Sequence, residues 1–379
     1  MSLTAETTRS DETLIRDLTD NPMANGMALG CAACPNNDPC GGLCVGAPLF
    51  TCFDLCCGDP GNCTSMCRKR AEDYVEQFHE INGFDIHNTP RAPRVASTMA
   101  QDIVPLIYHG SKRAALLSGA AFALRLSDLI NFKKGTLRFS TRKALAEAYQ
   151  IPHEASIILS GVHKDHRIEP IWSLGEQRKV IIDALVHLGV SLVTIPNFSV
   201  FLDRPRTDDL HSINRIAILL SEFQSAGLPC ALHPNGRTIA DMENWARFVA
   251  ERNEVEILSY EFGTGTARKG RRQFHLEALA RIASAAGRDI DIILRGDPSV
   301  IPFLRNHYRR VIYVETTAFM KAIKRQAAVR TGNDGLSWRS DKTPTDATVD
   351  HLVAHNLEER IGILRAQYYG ERNVLPKAA

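Results

Sequence analysis

Nine of the chain's ten cysteines fall within 37 residues, and thiols at this density indicate metal or redox chemistry. The segment from 31 to 67 reads CAACPNNDPCGGLCVGAPLFTCFDLCCGDPGNCTSMC and contains no histidine. The tenth cysteine, Cys230, lies in an apolar run and is expected to be a small core residue. The candidate metal ligands are Cys31, Cys34, Cys40, Cys44, Cys52, Cys56, Cys57, Cys63 and Cys67.

Disulfide bonds explain this cluster poorly. The chain begins MSLTAETTRSDETLIRDLTD, with acidic residues where a signal peptide would be basic and then apolar, so we expect a cytoplasmic protein. A reducing cytosol disfavours structural disulfides, and an odd number of thiols cannot pair completely. Metal binding is therefore the favoured explanation.

The cysteine spacing favours one or two iron–sulfur clusters of the 4Fe–4S type over zinc. Zinc sites commonly use paired C-x2-C motifs, and within this cluster Cys31 and Cys34 alone have that spacing. The lack of histidine and the small or apolar residues between the cysteines suit iron–sulfur ligation, with zinc as the alternative. The radical S-adenosylmethionine pattern C-x3-C-x2-C is absent, because its third position is occupied by Ala47, Asp59 or Arg70.

The rest of the chain must supply the elements that position a site. From about residue 102, short runs of Val, Ile and Leu alternate with amphipathic stretches, which is typical of βα units around a parallel sheet. We expect an α/β fold with a (β/α)8 TIM-barrel-like domain, and a doubly wound parallel sheet is the alternative. The predicted strands are 156–161, 191–196, 229–234, 254–260, 289–295 and 310–315, with weaker candidates at 104–110 and 136–140. The predicted helices are about 174–188, 207–226, 239–252, 273–286 and 299–308.

Changes in composition and the positions of turn-forming residues divide the 379 residues into five parts. No apolar run approaches the roughly 18 residues that span a bilayer, so we expect no membrane partner. The net charge of +2 is lower than that of most dedicated nucleic-acid-binding domains. The predicted parts are a flexible lead (1–30), a cysteine-rich metal-binding module (31–67), a helix and linker (68–100), the barrel-like domain (101–327) and a C-terminal tail with a final helix (328–379).

Functional side chains follow most of the predicted strands. In either fold the carboxyl ends of parallel strands converge, so these residues are expected to share one face. Two glutamates near the ends of apolar runs are candidate general acids or bases, although a buried pair with an arginine is an equally simple role for them. Asp297 is expected to be a helix cap. The candidate catalytic residues are His163, Asp165, Asn197, His233, Asn235, Arg237, Glu261, Arg295 and Glu315.

The segment EFGTGTARKGRR, residues 261 to 272, is a candidate phosphate-binding loop. Its glycines can expose backbone amides and its cations can neutralise an anion, so Gly263, Gly265, Arg268 and Lys269 are the candidate binding residues. It lacks the Lys-Ser/Thr of a P-loop and the full dinucleotide pattern, and a solvated loop is the structural alternative.

The segment IPNFSVFLDRPRTDDLHSINRIAILLSEFQSAGLPCALHPNGRT, residues 195 to 238, resembles a bacterial family of unknown function that is often carried on mobile elements. In that family a strand ending in Pro-Asp/Asn-Phe-Ser leads through an acidic, Pro-containing loop to a helix and a second strand. The resemblance covers about residues 191–300, implies βα units there and draws attention to Asn197 and Ser199. It names no reaction, and the cysteine module is not part of the family's pattern.

Three functions fit these patterns. The first is an enzyme, with an iron–sulfur or zinc centre, that acts on a phosphate-bearing or otherwise anionic small molecule at the strand ends. The second is a nucleic-acid-binding or nucleic-acid-modifying protein that uses the basic loop and a structural zinc module. The third is a metal- or redox-responsive regulator built on the same scaffold. The sequence favours the enzyme because the functional side chains gather at one end of the predicted strands.

Overall fold

The computed structural model describes residues 77–370 except for 78, 109–111, 201–205, 237, 264–270 and 333–334. The predicted lead and the nine clustered cysteines lie outside the described residues, so those predictions stay predictions. Within the described part the fold is α/β with parallel sheets, as the sequence indicates.

Eight parallel strands form two four-stranded sheets. One sheet has the order β1-β10-β9-β8 and the other the order β2-β5-β6-β7, and every neighbouring pair in them is parallel. The strands are β1 (Ile103–Pro105), β2 (Ala121–Arg125), β3 (Ile130–Asn131), β4 (Thr136–Leu137), β5 (Ser156–Ser160), β6 (Leu192–Thr194), β7 (Cys230–Ala231), β8 (Ile257–Phe262), β9 (Asp291–Gly296), β10 (Val311–Glu315), β11 (Gln326–Thr331) and β12 (Gly335–Ser340).

The two sheets adjoin along both pairs of edges. Continuous strand pairing does not extend from one sheet into the other, so the two sheets do not form a single closed barrel. At each of the two places where their edges meet, called seams below, one isolated parallel β-bridge joins them. Leu106, just after β1, bridges to Ala123 in β2, and Leu232, just after β7, bridges to Leu258 in β8. Each strand therefore lies beside the next parallel strand in the chain.

Helices follow most of the parallel strands and agree with the predicted βα rhythm. The glycines that end three of them, Gly189, Gly227 and Gly287, have φ of 65°, 84° and 62°. The α-helices are α1 (Leu126–Leu129), α2 (Arg142–Tyr149), α3 (Asp165–Ser173), α4 (Gln177–His187), α5 (Arg206–Ser225), α6 (Ile239–Glu251), α7 (Arg271–Ala285), α8 (Ile301–Arg305), α9 (Ala318–Ile323) and α10 (Asp350–Tyr368). In the described part of the chain, two short 3-10 helices span Ile86–Asn88 and Pro298–Val300.

Alternate residues of the strands enter two different apolar clusters, as the period of a strand requires. A small cluster takes at least one residue from each of the eight parallel strands, for example Ala123, Ile158 and Ile293. A larger cluster lies between strands and helices and includes Leu124 and Trp245, both fully buried. Both faces of the parallel strands are thus covered, and polar groups gather where the strands end.

Three elements differ from the sequence prediction. The predicted strand at 136–140 is wrong as a parallel unit, because β4 pairs antiparallel with β3 in a short hairpin. The parallel strand in that part of the chain is β2, whose five residues the sequence did not reveal. The polar segment after residue 327 includes an antiparallel hairpin of β11 and β12, followed by the expected final helix α10.

Residues 79–102 run along the outside of the strands from one end to the other. Glu80 bonds to His211 in the first part of α5, which begins at the carboxyl-end side. Asn214 then donates to the Phe84 carbonyl at 2.9 Å. At the amino-end side, Arg91 pairs with Glu254 at 2.7 Å before β8 begins.

Candidate functional site

Titratable side chains from four strand ends meet at the carboxyl ends of the parallel strands. Arg125 ends β2, His163 follows β5, Glu261 lies near the end of β8 and Arg295 near the end of β9. We call these four residues, with Asp128 of α1, the His163 cluster. Three of them, His163, Glu261 and Arg295, were predicted from the sequence.

Arg125 lies over an aromatic ring. Its guanidinium carbon is 4.0 Å from the ring centroid of Tyr108, which follows β1, and this cation–π contact helps to position the guanidinium. Its Nη1 lies 3.9 Å from Asp128 Oδ2. Among the salt bridges in the described part of the chain, this distance is the longest and is equalled by that of Lys143 and Glu147. The Arg125 side chain makes no hydrogen bond to any residue that the structure describes, and its buried Nε is without an acceptor there. The edge of this guanidinium is therefore available to an anionic ligand.

The surroundings of His163 favour its neutral form. Burial lowers the pKa of His163, and the positive charges of Arg125, Arg167 and Arg295 lower it further, against a smaller opposing effect of Asp128. The buried Nδ1 of His163 finds no hydrogen-bond partner among the described residues. A neutral imidazole beside cations can accept a proton at neutral pH.

Arg295 links the two sheets across the site. Its Nη1 donates to the carbonyl oxygen of Val162 at 2.9 Å, and its Nε lies 3.5 Å from Glu261 Oε1. Burial raises the pKa of Glu261, while Arg295 acts in the opposite direction. The pair of Glu261 and Arg295, which the sequence offered as one structural role for the glutamate, is present.

A second group of polar residues, the Asn235 cluster, lies at the ends of β5, β6 and β7. Ser199 donates its hydroxyl to Asp165 Oδ1 at 2.6 Å. Asn235 Nδ2 donates to both Asn197 Oδ1 and the Phe198 carbonyl, each at 2.8 Å. Four predicted or highlighted residues, Asp165, Asn197, Ser199 and Asn235, are thus brought together, and their mutual hydrogen bonds order the loops beside His163.

His233 and Glu315 are placed differently from the other candidates. His233 is 2% exposed and stacks on Tyr260 with ring centroids 5.3 Å apart. Glu315 is fully buried and accepts hydrogen bonds from the backbone amides of Thr317 and Ala318, at the start of α9. Its Oε1 also lies 3.7 Å from Arg360 Nε. These contacts give both residues structural roles.

The candidate phosphate-binding loop is only partly described. Gly263 lies next to Glu261, whereas Gly265, Arg268 and Lys269 lie outside the described residues, as does the candidate catalytic residue Arg237. Arg272, the last residue of the loop, pairs with Asp297 at 3.1 Å and so is engaged within the chain. Asp297 accepts from Ser299 and caps the 3-10 helix that follows β9, which confirms its predicted capping role.

Sequence reasoning missed Arg125, Asp128 and Tyr108. The run AFALR ends in an arginine, in the same way as DIDIILR ends in Arg295, and that likeness was the available signal. Because β2 was not predicted as a strand, Arg125 at its end was not counted among the residues of the strand ends.

Other surfaces offer less chemistry. A cleft of about 550 Å³ lies at the amino ends of β2 and β5, and its lining is mainly apolar, including Leu116, Pro152 and Ala155. Among the described residues no three or more His, Cys, Asp and Glu side chains come together as metal ligands. None of the described helices is long and apolar enough to cross a membrane.

Comparison with known proteins adds no identity to these observations. No protein family model matches the chain, and no curated protein is similar to it.

Proposed function

We propose that the protein is an enzyme that acts on a small anionic substrate at the carboxyl ends of its parallel strands. The observation that carries the proposal is the His163 cluster, where an imidazole whose pKa is lowered lies among guanidinium groups and one of these, that of Arg125, makes no hydrogen bond within the described residues. Anion binding by guanidinium and proton transfer by imidazole are common and compatible tasks.

We propose that the two sheets act as one barrel-like scaffold of the (β/α)8 kind. The bridges at both seams and the apolar cluster shared by all eight parallel strands support this arrangement. The carboxyl ends of the strands would then surround a single mouth, with the His163 cluster and the Asn235 cluster on its wall.

Each residue of the site has a proposed task. Arg125 and Arg295 bind the anionic group and stabilise negative charge that develops during the reaction. His163 accepts a proton from the substrate, and Glu261, whose pKa burial raises, returns one. Asn197 and Asn235 hold the adjoining loops in place through their hydrogen bond.

A binding screen tests the proposal before the substrate is known. Carboxylates, phosphate monoesters and neutral amides are added at low ionic strength to the full-length chain, to Arg125→Gln and to Arg330→Gln, and melting temperatures are recorded. Arg330 is a matched control because it is an exposed arginine that pairs with Glu359 on α10. We expect some anions to raise the melting temperature of the wild type and Arg330→Gln but not of Arg125→Gln. Equal shifts in all three proteins, or no shift with any anion, would contradict the proposal.

We also propose that the nine cysteines bind a metal centre, with one or two 4Fe–4S clusters as the first choice and zinc as the second. The support is the number and spacing of the thiols and the absence of histidine among them. Anaerobic purification, metal analysis and an absorption spectrum decide between the two. Iron, acid-labile sulfide and a broad band near ~400 nm would support clusters, whereas a colourless protein with stoichiometric zinc would support the alternative.

A further inference from the structure

We infer that Thr194 is a positioning residue for His163, because its hydroxyl holds the short turn that carries His163 at the strand ends. Thr194 is the last residue of β6, which pairs with β5, the strand that leads into this turn. Its residue is 3% exposed, so Thr194 acts through the backbone of the turn and does not itself meet a substrate. This role rests on the proposed function of His163 and adds the residue that sets its position.

The turn between β5 and His163 consists of two buried residues, Gly161 and Val162. The Gly161 amide donates to Thr194 Oγ1 at 2.8 Å. The Val162 carbonyl oxygen accepts from Arg295 Nη1 at 2.9 Å. The backbone just before His163 is therefore held from β6 in its own sheet and from β9 in the other sheet.

The turn also lies directly against the backbone that follows β6. A Cβ added to Gly161 would lie 2.3 Å from the Thr194 carbonyl oxygen and 2.7 Å from the Pro196 nitrogen, so a side chain does not fit there. Glycine permits this close approach of two backbones. The approach brings the Gly161 amide within hydrogen-bond distance of the Thr194 hydroxyl.

The imidazole of His163 depends on this backbone for its position. Its buried Nδ1 has no hydrogen-bond partner among the described residues, so the ring is not tied down through that atom. Of the two bonds that hold the turn, the one from Arg295 comes from a side chain that also has the proposed task of binding the anion. The bond to Thr194 comes from a side chain without any task toward the substrate, and it holds the turn whether or not an anion is bound.

NMR of the full-length chain tests this role. Thr194→Val keeps the shape of the side chain but removes the acceptor, and faster hydrogen exchange of the Gly161 amide verifies that the bond is lost. We expect the pKa of His163 in this variant to rise toward the ordinary value of a histidine, because a released turn lets the ring leave its buried place among cations. Thr194→Ser restores the acceptor and should restore the wild-type pKa, whereas Thr194→Ala should behave as Thr194→Val does.

Ser191→Ala is the matched control. At the amino ends of the same two strands, Ser191 Oγ accepts the Ile157 amide at 3.2 Å, so this variant removes the same kind of bond at the end away from His163. The pKa of His163 should not change in Ser191→Ala. An unchanged pKa in Thr194→Val, an equal rise in Ser191→Ala, or no recovery in Thr194→Ser would overturn the role of Thr194.

Anion binding is measured separately in the same proteins. An anion that raises the melting temperature of the wild type should bind several-fold more weakly to Thr194→Val and as tightly as in the wild type to Ser191→Ala. Equal affinity in the wild type and Thr194→Val would also overturn the role. If no anion binds even to the wild type, the proposed function fails, and the pKa of His163 in the Thr194 variants still decides whether Thr194 positions the ring.

Discussion

Acid should destabilise this protein through one buried histidine, His233. Neither ring nitrogen of His233 bonds to a described residue, and its ring stacks on Tyr260. Burial lowers the pKa of His233 to about 4, and the nearby His275 adds to the effect. Because the pKa is lowered in the folded state, the unfolded chain takes up a proton first as the pH falls below 6.5.

The size of the effect follows from these two pKa values. Between pH 6.5 and 4 the unfolded state holds up to one extra proton, so stability falls by as much as about 1.4 kcal/mol per pH unit. From pH 7.5 to 4.5 the loss that His233 causes is about 2.5 kcal/mol. Above pH 7.5 both states hold a neutral ring, and His233 contributes no pH dependence.

Urea unfolding at pH 7.5 and 4.5 measures this loss in the wild type and in His233→Gln. Other groups titrate in the same interval, so the quantity of interest is the difference between the two proteins. The wild type should lose about 2.5 kcal/mol more than His233→Gln, and His233→Phe, which keeps a ring against Tyr260, serves as a second variant. His187→Gln, at an exposed position on α4, should behave as the wild type does. Equal losses in the wild type and both His233 variants would show that His233 does not cause the acid sensitivity.

Two further predictions concern backbone geometry and a buried carboxylate. Gly296→Ala should lower the free energy of unfolding by about 2 kcal/mol or more, because Gly296 has φ of 101° and an added Cβ would lie 2.1 Å from the Phe262 carbonyl oxygen. Gly189→Ala, where φ is 65° but nothing lies within 4 Å of an added Cβ, should lower the free energy of unfolding by only about 1 kcal/mol. Equal losses for the two glycine variants in urea unfolding would show that the contact with the Phe262 carbonyl plays no part. Glu315→Gln should lower stability by about 1–3 kcal/mol, since the amide keeps one acceptor for two backbone donors and loses the ion pair with Arg360. Thermal unfolding measures this loss, and an unchanged melting temperature would contradict the structural role.

The parallel strands were predictable where long apolar runs end in polar residues. SIILSG, DIDIILR and RVIYVE correspond to β5, β9 and β10, each within two residues of its predicted start. β2 escaped prediction because its five residues run on into LSDLINF without a turn signal that marks where the strand ends. TLRFS has a β-like composition, but its first two residues pair only with the two-residue strand β3. Local pattern does not specify which partner a short strand finds.

The sequence predicted that the candidate site lies at the strand ends. It did not distinguish the residues that line the site from those that are buried in structural contacts. His163 and His233 each follow an apolar run, yet one lies beside three arginines and the other is buried against Tyr260. Glu261 and Glu315 differ in the same way, because Glu315 alone of the two caps a helix. These differences arise because elements that are distant in the chain pack against each other. The spacing of residues in the sequence does not reveal such contacts.

We propose that burial and the neighbouring cations keep His163 neutral, so that its imidazole can accept a proton beside a bound anion. NMR titration of the histidine C–H resonances in the full-length chain, with His163→Gln to assign the signal, measures this directly. We predict a pKa of His163 below 6.5 in the wild type, a rise in that pKa in Arg125→Gln or Arg295→Gln, and a rise in the wild type when a binding anion is added. A pKa of 6.5 or above that responds neither to loss of either arginine nor to anions would contradict the account.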